Sequence, residues 1–241
     1  MKMNTSGTST NPKVARPLRM LITAGPTQEP IDDVRFIGNR SSGRLGIALA
    51  LEACARGHNV TLLLGPVPAM EPDEFGRSLT GIRTHGKVVR FRTAKDLEGA
   101  LAAHAPNAEV IIMSAAVADY RPKTGPAQGK IRRTGASLTI ELESTPDLLA
   151  GLGRNRRDGQ LLVGFALGPQ ERLLASAREK LERKAIDLIV ANPLETMESA
   201  EIEARVLGRR GEDFATTGRI SKAEFAPWLL EIIERSASNA S

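Results

Sequence analysis

Short apolar runs alternate along this chain with longer stretches in which apolar residues recur at helical spacing. The apolar runs lie at 18–24, 59–64, 88–91, 109–115, 161–166 and 187–191. A run that is apolar without alternation is typical of a strand buried on both faces. Helical patterns lie between the runs, at 43–56, 94–104, 146–153 and 170–184. The alternation predicts an α/β fold of the Rossmann-like, three-layer type, with a parallel sheet and helices on both of its faces.

Residues at the ends of the helical patterns support these boundaries. Gly57 follows the first pattern, Thr93 precedes the second, and Pro146 would occupy the first helical position of the third. Near the end of the chain, Ser221 and Glu224 have the spacing of a capping box, which predicts that a last helix begins there.

Two internal segments interrupt the alternation. Residues 66–87 contain three prolines and no clear period, which favours a long loop. Residues 130–143 combine a basic start, a small-residue turn and alternating apolar positions, which predicts a β-hairpin inserted into the α/β order. Residues 1–16 are polar without a hydrophobic period, so we expect a disordered N-terminal tail. The remaining residues, 17–241, are then expected to form a single domain.

The segment 38–46, here called the anion loop, has the composition of a phosphate-binding loop. Its glycines and serines lead directly into a helical pattern, so backbone N–H groups at the helix start can face an anion. Two common phosphate motifs do not fit. Arg44 and Leu45 stand where a Walker A motif needs Lys and then Ser or Thr, and the first strand exits into Gly25, Pro26 and Thr27 instead of a dinucleotide fingerprint. A glycine-rich surface loop before an ordinary helix is the alternative.

Composition narrows the possible functions. The chain has 33 basic and 28 acidic residues, a net charge of +5 that suits an anionic ligand. One Trp and one Tyr offer few surfaces for stacking bases, so no nucleic-acid partner is expected. The single cysteine, Cys54, lies in a helical pattern and is expected in the core. The histidines His58, His85 and His104 are widely spaced and expected at the surface. No apolar run is long enough for a membrane span, and no signal peptide is visible, so a cytoplasmic protein is predicted.

Several blocks of residues together resemble the phosphopantothenoylcysteine synthetase family. They lie at 23–27, 30–35, 37–43, 114–120, 130–133, 145–149, 163–166 and 187–192. The resemblance implies a ligase of coenzyme A biosynthesis that joins 4'-phosphopantothenate to L-cysteine through an acyl-nucleotide. It implies CTP as co-substrate, with ATP less favoured, Mg²⁺ as cofactor, and a homodimer. Because no flavin-dependent decarboxylase domain precedes Leu18, the phosphopantothenoylcysteine decarboxylase of the pathway is expected to be a separate chain.

The resemblance also implies two catalytic residues. Asn39 is a neutral donor and acceptor within the anion loop, although an Asn at a tight turn is the alternative. Lys130 opens the sequence Lys-Ile-Arg-Arg, where the family usually has Lys-x-Lys-Lys, and would neutralise charge in the transition state. A charged edge strand is its alternative, and the effect of Arg132 and Arg133 stays open. The residues expected to bind the phosphate of phosphopantothenate are Ser41, Ser42, Gly43 and Arg44.

The nucleotide is expected at the carboxyl ends of the strands, where parallel sheets bind ligands. The predicted binding residues near these strand ends are Gly25, Pro26, Thr27, Ala116, Asp119 and Phe165, and the resemblance implies Lys180, Lys184 and Asn192 as further ones. Asp119 is also the candidate Mg²⁺ ligand, although a lone Asp in a loop often serves only the turn. The alternative for Phe165 is a position in the core, and composition alone favours solvated helix lysines for Lys180 and Lys184. The family often has a carboxylate two positions after the alanine that matches Ala166. This chain has Leu167 and then Gly168, so no carboxylate stands at that position.

Two other classes of function compete with the ligase. A nicotinamide- or flavin-dependent oxidoreductase would share the Rossmann-like fold, but the dinucleotide fingerprint is missing from the first turn. A non-catalytic nucleotide- or DNA-binding module is suggested only by the basic charge. The presence of Asn39 and Lys130 at matching positions favours the enzyme over such a module.

Overall fold

A central eight-stranded sheet organises the fold. The structure is a computed structural model that describes residues 16–67, 72–135, 137–196 and 199–239, without the side chains of 72–78. The helices are α1 (Arg44–Ala55), α2 (Pro72–His85), α3 (Ala94–His104), α4 (Leu148–Asn155), α5 (Gln170–Arg183) and α6 (Lys222–Ser238). The strands are β1 (Arg19–Ala24), β2 (Gln28–Pro30), β3 (Phe36–Gly38), β4 (Asn59–Leu64), β5 (Gly86–Arg90), β6 (Val110–Met113), β7 (Tyr120–Pro122), β8 (Leu142–Ser144), β9 (Leu161–Gly168), β10 (Leu188–Pro193), β11 (Glu201–Ile202), β12 (Arg205–Gly208), β13 (Asp213–Ala215) and β14 (Ile220–Ser221).

The sheet has the strand order β13-β12-β10-β9-β6-β1-β4-β5. The strands from β10 to β5 in this order are parallel, as predicted, whereas β12 and β13 continue the sheet antiparallel beyond β10. From β1 the chain first builds outward through β4 and β5, and then returns to the other side of β1 through β6, β9 and β10. The strand order therefore reverses between β1 and β6, which is where an open parallel sheet forms a binding crevice.

Two buried layers confirm the three-layer prediction. On one face of the sheet, residues of α1 and α6, with Leu79 and Ile82 of α2, pack against the strands. On the other face, residues of α3, α4 and α5 form a second cluster. Cys54 lies in the first cluster with 8% of its surface exposed, so the predicted core position is confirmed. Burial on both faces explains why the strand sequences are apolar without alternation.

The predicted loop at 66–87 is wrong over most of its length. Helix α2 begins at Pro72, and β5 begins at Gly86. A proline is tolerated in the first turn of a helix because its missing N–H would have no intrahelical partner there. Residues 68–71 lie outside the described residues. The third helical pattern is also shifted, because α4 begins at Leu148 and Asp147 caps it, so Pro146 precedes the helix.

The hairpin predicted at 130–143 is wrong in position. The strand that does form is β8, and it pairs antiparallel with β7, which lies just after the β6 end. Residues 123–141, here called the arm, connect β7 to β8, and their described part contains no strand. The alternating apolar residues do not form the predicted strand because they have no buried surface to pack against, and Leu138 is 60% exposed. A second small antiparallel pair, β2 and β3, lies beside the base of the arm and was not predicted.

His58 corrects the prediction that the histidines are at the surface. It is only 2% exposed, accepts a hydrogen bond at Nδ1 from the Leu18 N–H at 3.1 Å, and lies 2.8 Å from Glu234 through Nε2. His85 is exposed, as expected. The predicted disordered tail falls almost entirely on residues 1–15, outside the described residues. Within the described part of the chain, no helix is long and apolar enough to cross a membrane.

Candidate functional site

A cleft of about 810 Å³ opens at the carboxyl ends of β1, β6, β9 and β10. This volume lies in the range of small-molecule sites. Most of the predicted site residues line it: Asn39, Ser41, Ser42, Gly43, Arg44, Ala116, Asp119, Phe165, Lys180, Lys184 and Asn192. These residues are spread over more than 150 positions of sequence, so only the fold brings them together.

The anion loop ends where α1 begins, at the wall of this cleft. Gly43 is the N-cap residue and has a φ of 70°, a left-handed conformation that glycine adopts without strain. Gly43 itself has no side chain to cap the helix. The Ser41 hydroxyl lies 3.4 Å from the Gly43 N–H, and the Ser42 hydroxyl lies 3.5 Å from the Arg44 N–H. The first N–H groups of a helix have no intrahelical partner, so they can bind an anion at this end.

Gly46 allows α1 to reach the sheet. A Cβ at this position would lie 2.5 Å from the Ala24 Cβ and 2.6 Å from the Ser114 Oγ. Both neighbours belong to the ends of central strands, because Ala24 closes β1 and Ser114 follows β6. The first turn of α1 is thus held at the point where the strand order reverses.

Gly25, Pro26 and Thr27 lie behind the cleft instead of lining it. All three are buried. The Thr27 N–H donates to the Ala116 carbonyl at 3.1 Å, and the Thr27 Oγ1 accepts from the Ala118 N–H at 2.9 Å. They therefore fix the loop that follows β6, and their predicted contact with a nucleotide stays a prediction.

Asn39 joins the anion loop to the same loop after β6. Its Nδ2 donates to the Val117 carbonyl at 2.9 Å, and the residue is exposed to the cleft. An amide has two N–H donors and a carbonyl oxygen. This single contact leaves a donor and an acceptor of Asn39 for a ligand.

A cationic wall is formed by the end of α5. Lys180, Arg183 and Lys184 line the cleft, and the Lys184 Nζ lies 3.0 Å from the Asp147 Oδ1. Burial works against the charge of Asp147, but the Ala150 N–H and the ammonium of Lys184 outweigh it, so the pKa of Asp147 lies below its ordinary value. The carboxylate therefore stays charged near neutral pH and holds Lys184 at the rim.

Sequence reasoning missed four charged residues of the cleft: Arg40, Asp147, Arg183 and Lys222. Arg183 directly precedes the predicted Lys184, and Asp147 lies at the start of the third predicted helical pattern. The capping position of Asp147 before α4 is a signal that could have identified it. Lys222 is the first residue of α6 and is half-buried. Burial, and to a lesser degree the charge of Arg44, lower the pKa of the Lys222 ammonium. Only the tertiary structure brings this end of the chain to the anion loop.

Lys130 does not line the cleft. It is exposed on the arm, between Gly129, whose carbonyl accepts from the Asp33 N–H at 3.4 Å, and Ile131, whose N–H donates to the Asp32 carboxylate at 3.1 Å. The structure thus places the two predicted catalytic residues on different parts of the molecule. The catalytic role of Lys130 stays a prediction.

The cleft offers few ligands for a metal ion. Among the described residues, no group of three or more His, Cys, Asp or Glu side chains is placed to hold one. Asp119 lines the cleft and is exposed. Mg²⁺ at nucleotide sites is commonly held by one or two carboxylates together with the phosphates. Asp119 alone is compatible with that kind of site and not with a protein-only metal centre.

Comparison with known proteins gives a consistent set of relatives. The family model described as DNA/pantothenate metabolism flavoprotein C-terminal domain matches residues 16–236. A "Cysteine/Cysteine sulfinic acid decarboxylase" from an unknown prokaryotic organism is 43% identical over 176 residues, which are 73% of this chain and 46% of that protein. The "Coenzyme A biosynthesis bifunctional protein CoaBC" of Mycobacterium bovis is 41% identical over 195 residues, 77% of this chain and 44% of that protein. The chain therefore spans about half the length of these relatives.

A solved structure matches over nearly the full length of both chains. The crystal structure of the C-terminal domain of the coenzyme A biosynthesis bifunctional protein CoaBC superposes with a TM-score of 0.75 and 34% sequence identity. The match covers 94% of this chain and 99% of that domain. The arrangement of sheet and helices described above is thus shared with that domain.

Proposed function

The chain belongs to the DNA/pantothenate metabolism flavoprotein C-terminal domain family, and we propose that it is a phosphopantothenate–cysteine ligase of coenzyme A biosynthesis. The observation that carries the proposal is the single cleft in which the anion loop, Asn39 and the lysines of α5 face one ligand space. Such a cleft suits two substrates side by side, a carboxylic acid that carries a phosphate and a nucleoside triphosphate. The relatives named for coenzyme A biosynthesis support the same pathway.

The proposed reaction has two balanced steps. In the first, a carboxylate oxygen of 4'-phosphopantothenate attacks the α-phosphorus of CTP, an O–P bond forms, and pyrophosphate leaves as the bond between the α- and β-phosphates breaks. In the second, the amine of L-cysteine attacks the acyl carbon of the acyl-cytidylate, a C–N bond forms, and CMP leaves while the amine loses a proton. Both steps concentrate negative charge, so catalysis depends on positioning and on cationic and N–H donors.

Each part of the cleft has a proposed task. The N–H groups at the start of α1, with the two serines and Arg44, bind the phosphate of phosphopantothenate. Asn39 holds the carboxylate that becomes the acyl group. Lys180 and Lys184 bind the phosphates of the nucleotide, with Phe165 and Asn192 beside them in the same wall. Asp119 would hold Mg²⁺, which when bound neutralises charge on the nucleotide phosphates.

We also propose that the protein is a homodimer. Of the large apolar side chains that the described part of the chain exposes, most lie on the two small hairpins and the arm: Val34, Phe36, Tyr120, Leu138 and Leu142. The β2–β3 pair, the β7–β8 pair and the arm are linked by hydrogen bonds or by the chain, so these side chains belong to one connected region, here called the apolar surface. An exposed apolar surface of this kind is suited to contact with a second copy. Because Lys130 lies on it and outside the cleft of its own chain, we assign Lys130 to the cleft of the partner copy.

A single assay tests the proposed reaction. The purified protein is incubated with L-cysteine, Mg²⁺, and CTP or ATP, with or without 4'-phosphopantothenate, and pyrophosphate is measured. Pyrophosphate should appear with CTP only when phosphopantothenate is present, since its carboxylate is the nucleophile. Release of inorganic phosphate and CDP instead would contradict the acyl-cytidylate. Pyrophosphate release with ATP and not with CTP would change the proposed co-substrate but not the proposed ligase reaction.

A further inference from the structure

Helices α1 and α6 lie side by side and run in the same direction. The Arg56 guanidinium, just after α1, lies 3.0 Å from the Glu234 carboxylate near the carboxyl end of α6, and it also donates to the Pro227 carbonyl in the first half of α6 at 2.9 Å. The same carboxylate contacts His58 at 2.8 Å. Along their length the helices share one buried cluster, which includes Phe225 of α6. Their first residues, Arg44 and Lys222, both line the cleft.

Positive charge is therefore concentrated at this end of the cleft. The start of α1 has no acidic residue in its first turn and carries the equivalent of about half a positive charge, whereas Glu224 offsets part of that charge at the start of α6. The first residue of each helix is also a cation. Lys222 is half-buried, and its ammonium donates to the Ser199 carbonyl. An ammonium has three donors, so a single carbonyl does not use its hydrogen-bonding capacity.

This arrangement costs free energy in the free protein. A half-buried ammonium loses part of its hydration, and the charge of Arg44 repels it. Among the described residues no carboxylate pairs with the Lys222 ammonium to offset these effects, and the ammonium donates to the Ser199 carbonyl. A phosphate dianion between the two cations would offset both, because it attracts each of them and satisfies the remaining ammonium donors.

The geometry points to Lys222 as a further phosphate-binding residue, which grips the phosphate of 4'-phosphopantothenate together with Arg44 and the anion loop. This inference rests on the proposed function and adds a residue from the far end of the chain to that site. The first turn of α6 is rigid enough for the task. Ser221 and Glu224 form a capping box there, with Ser221 Oγ 2.7 Å from the Glu224 carboxylate. The capping box fixes the backbone of Lys222, and the hydrogen bond to the Ser199 carbonyl orients its ammonium, so less entropy is lost on binding.

The test compares binding of 4'-phosphopantothenate and of pantothenate, which lacks the phosphate, by calorimetry. Lys222→Gln should weaken binding of phosphopantothenate by about 10- to 100-fold, as expected for a lost charge-assisted hydrogen bond. Its affinity for pantothenate should stay within about twofold of the wild type, because the missing interaction is to the phosphate alone. Lys222→Arg keeps the charge and should bind phosphopantothenate more tightly than Lys222→Gln.

A matched control is available in α3. Lys95 also lies in the first turn of a helix that begins with a capping box, but it is exposed and lies outside the cleft. Lys95→Gln should bind both ligands as the wild type does. Thermal melting of each variant checks that the fold is intact.

Three results would overturn the assignment. Equal weakening for phosphopantothenate and pantothenate would make Lys222 a structural residue. A loss of CTP affinity with phosphopantothenate binding intact would mean that Lys222 binds the phosphates of the nucleotide instead. Wild-type affinity for phosphopantothenate in Lys222→Gln would remove Lys222 from the site while leaving the proposed function standing. If the wild type itself does not bind phosphopantothenate, the proposed function fails first, and the two failures are thus distinguishable.

Discussion

Asn39 shows how much chemistry one exposed residue can bring to a site. Its amide is fixed by the contact with the Val117 carbonyl at 2.9 Å, yet the residue stays open to the cleft. Asn39→Ala should slow turnover by about 100-fold or more if the amide makes an oxyanion-type contact of roughly 3 kcal/mol. The fold should survive, because one net hydrogen bond contributes only about 1 kcal/mol. Steady-state kinetics and thermal melting measure the two effects.

Asn155 provides the control for that prediction. It is also an exposed Asn whose amide donates to a backbone carbonyl, that of Gly151 at 3.1 Å, but it lies outside the cleft. Asn155→Ala should keep normal turnover. Near-normal activity in Asn39→Ala would instead assign Asn39 to the geometry of the turn.

Single residues were predictable where a local pattern carries the chemistry. The anion loop could be read from its glycines and serines, because a helix start needs small residues to expose its N–H groups. Lys222 and Arg183 could not, because a charged residue at the start or end of a helix is usually solvated. His58 was misplaced for the same reason, since its buried contact with Glu234 joins residues far apart in sequence. The burial of a polar residue depends on tertiary packing, and the residues next to it in the sequence do not indicate it.

At the scale of elements, the docking of α1 on the sheet decides whether the anion loop is in place. Gly46→Ala would put a methyl group within 2.6 Å of both the Ala24 Cβ and the Ser114 Oγ. We expect a loss of roughly 1–3 kcal/mol in the free energy of unfolding, as for an overpacked core position. Ligand binding should weaken as well, since the first turn of α1 must move. Urea unfolding and calorimetry measure the two effects.

Gly99→Ala is the matched control for this substitution. Gly99 lies in the exposed interior of α3, and a Cβ there meets nothing within 4 Å. This change should be neutral or stabilise the protein by about 0.5–1 kcal/mol, because alanine favours the helix. Equal stability of the two variants would show that α1 has room to shift.

Asp32 holds the base of the arm and gives this region a dependence on pH. Burial acts to raise the pKa of Asp32, but the N–H groups of Val34, Ile131 and Arg35, with the Arg35 guanidinium, outweigh it, so the pKa lies below its ordinary value. A depressed pKa means that the stabilisation is present above the unfolded-state value of about 3.9 and is lost as the pH falls through the folded-state value. Asp32→Asn should therefore be less stable than the wild type near neutral pH, with a gap that narrows in acid.

Urea unfolding of wild type and Asp32→Asn between about pH 3 and 7 measures this gap. Limited proteolysis of the arm should also become faster in Asp32→Asn, because the contact with Ile131 is lost. Asp33→Asn changes the exposed neighbouring residue and should leave both measurements unchanged. A gap that does not depend on pH would mean that the charge of Asp32 does not stabilise the arm.

The elements themselves followed from the sequence where burial is strong and local signals agree. The parallel strands other than β5 are largely apolar, and α3 has a clear cap, so their positions were close to those observed. Helix α2 was missed because prolines obscure its start. The pairing of β7 with β8 was missed because its partners are separated by the arm and one of them ends in Pro122, which is uncommon within strands.

At the scale of the whole molecule, the reversal of strand order between β1 and β6 explains where the cleft lies. The alternation of strands and helices predicted a parallel sheet but not the order of its strands. The antiparallel edge formed by β12 and β13 was not predicted either, because short apolar runs near the end of the chain do not show which strand they join. The oligomeric state is harder still to predict from the sequence, since it depends on which surfaces the folded chain leaves exposed.

The placement of Lys130 on the exposed arm, within the apolar surface and outside the cleft of its own chain, leads to the last prediction. If the partner copy supplies Lys130, each active site of a dimer combines Asn39 of one chain with Lys130 of the other. Asn39→Ala and Lys130→Gln would each inactivate a homodimer of their own kind. In a mixed dimer, one site then loses both residues and the other keeps both. Unfolding and refolding the two variants together at equal amounts should restore about a quarter of wild-type activity, since about half of the dimers are mixed and each has one intact site. Absence of recovery, with mixed dimers shown by two different affinity tags, would mean that Lys130 acts in its own chain and reaches the cleft by movement of the arm.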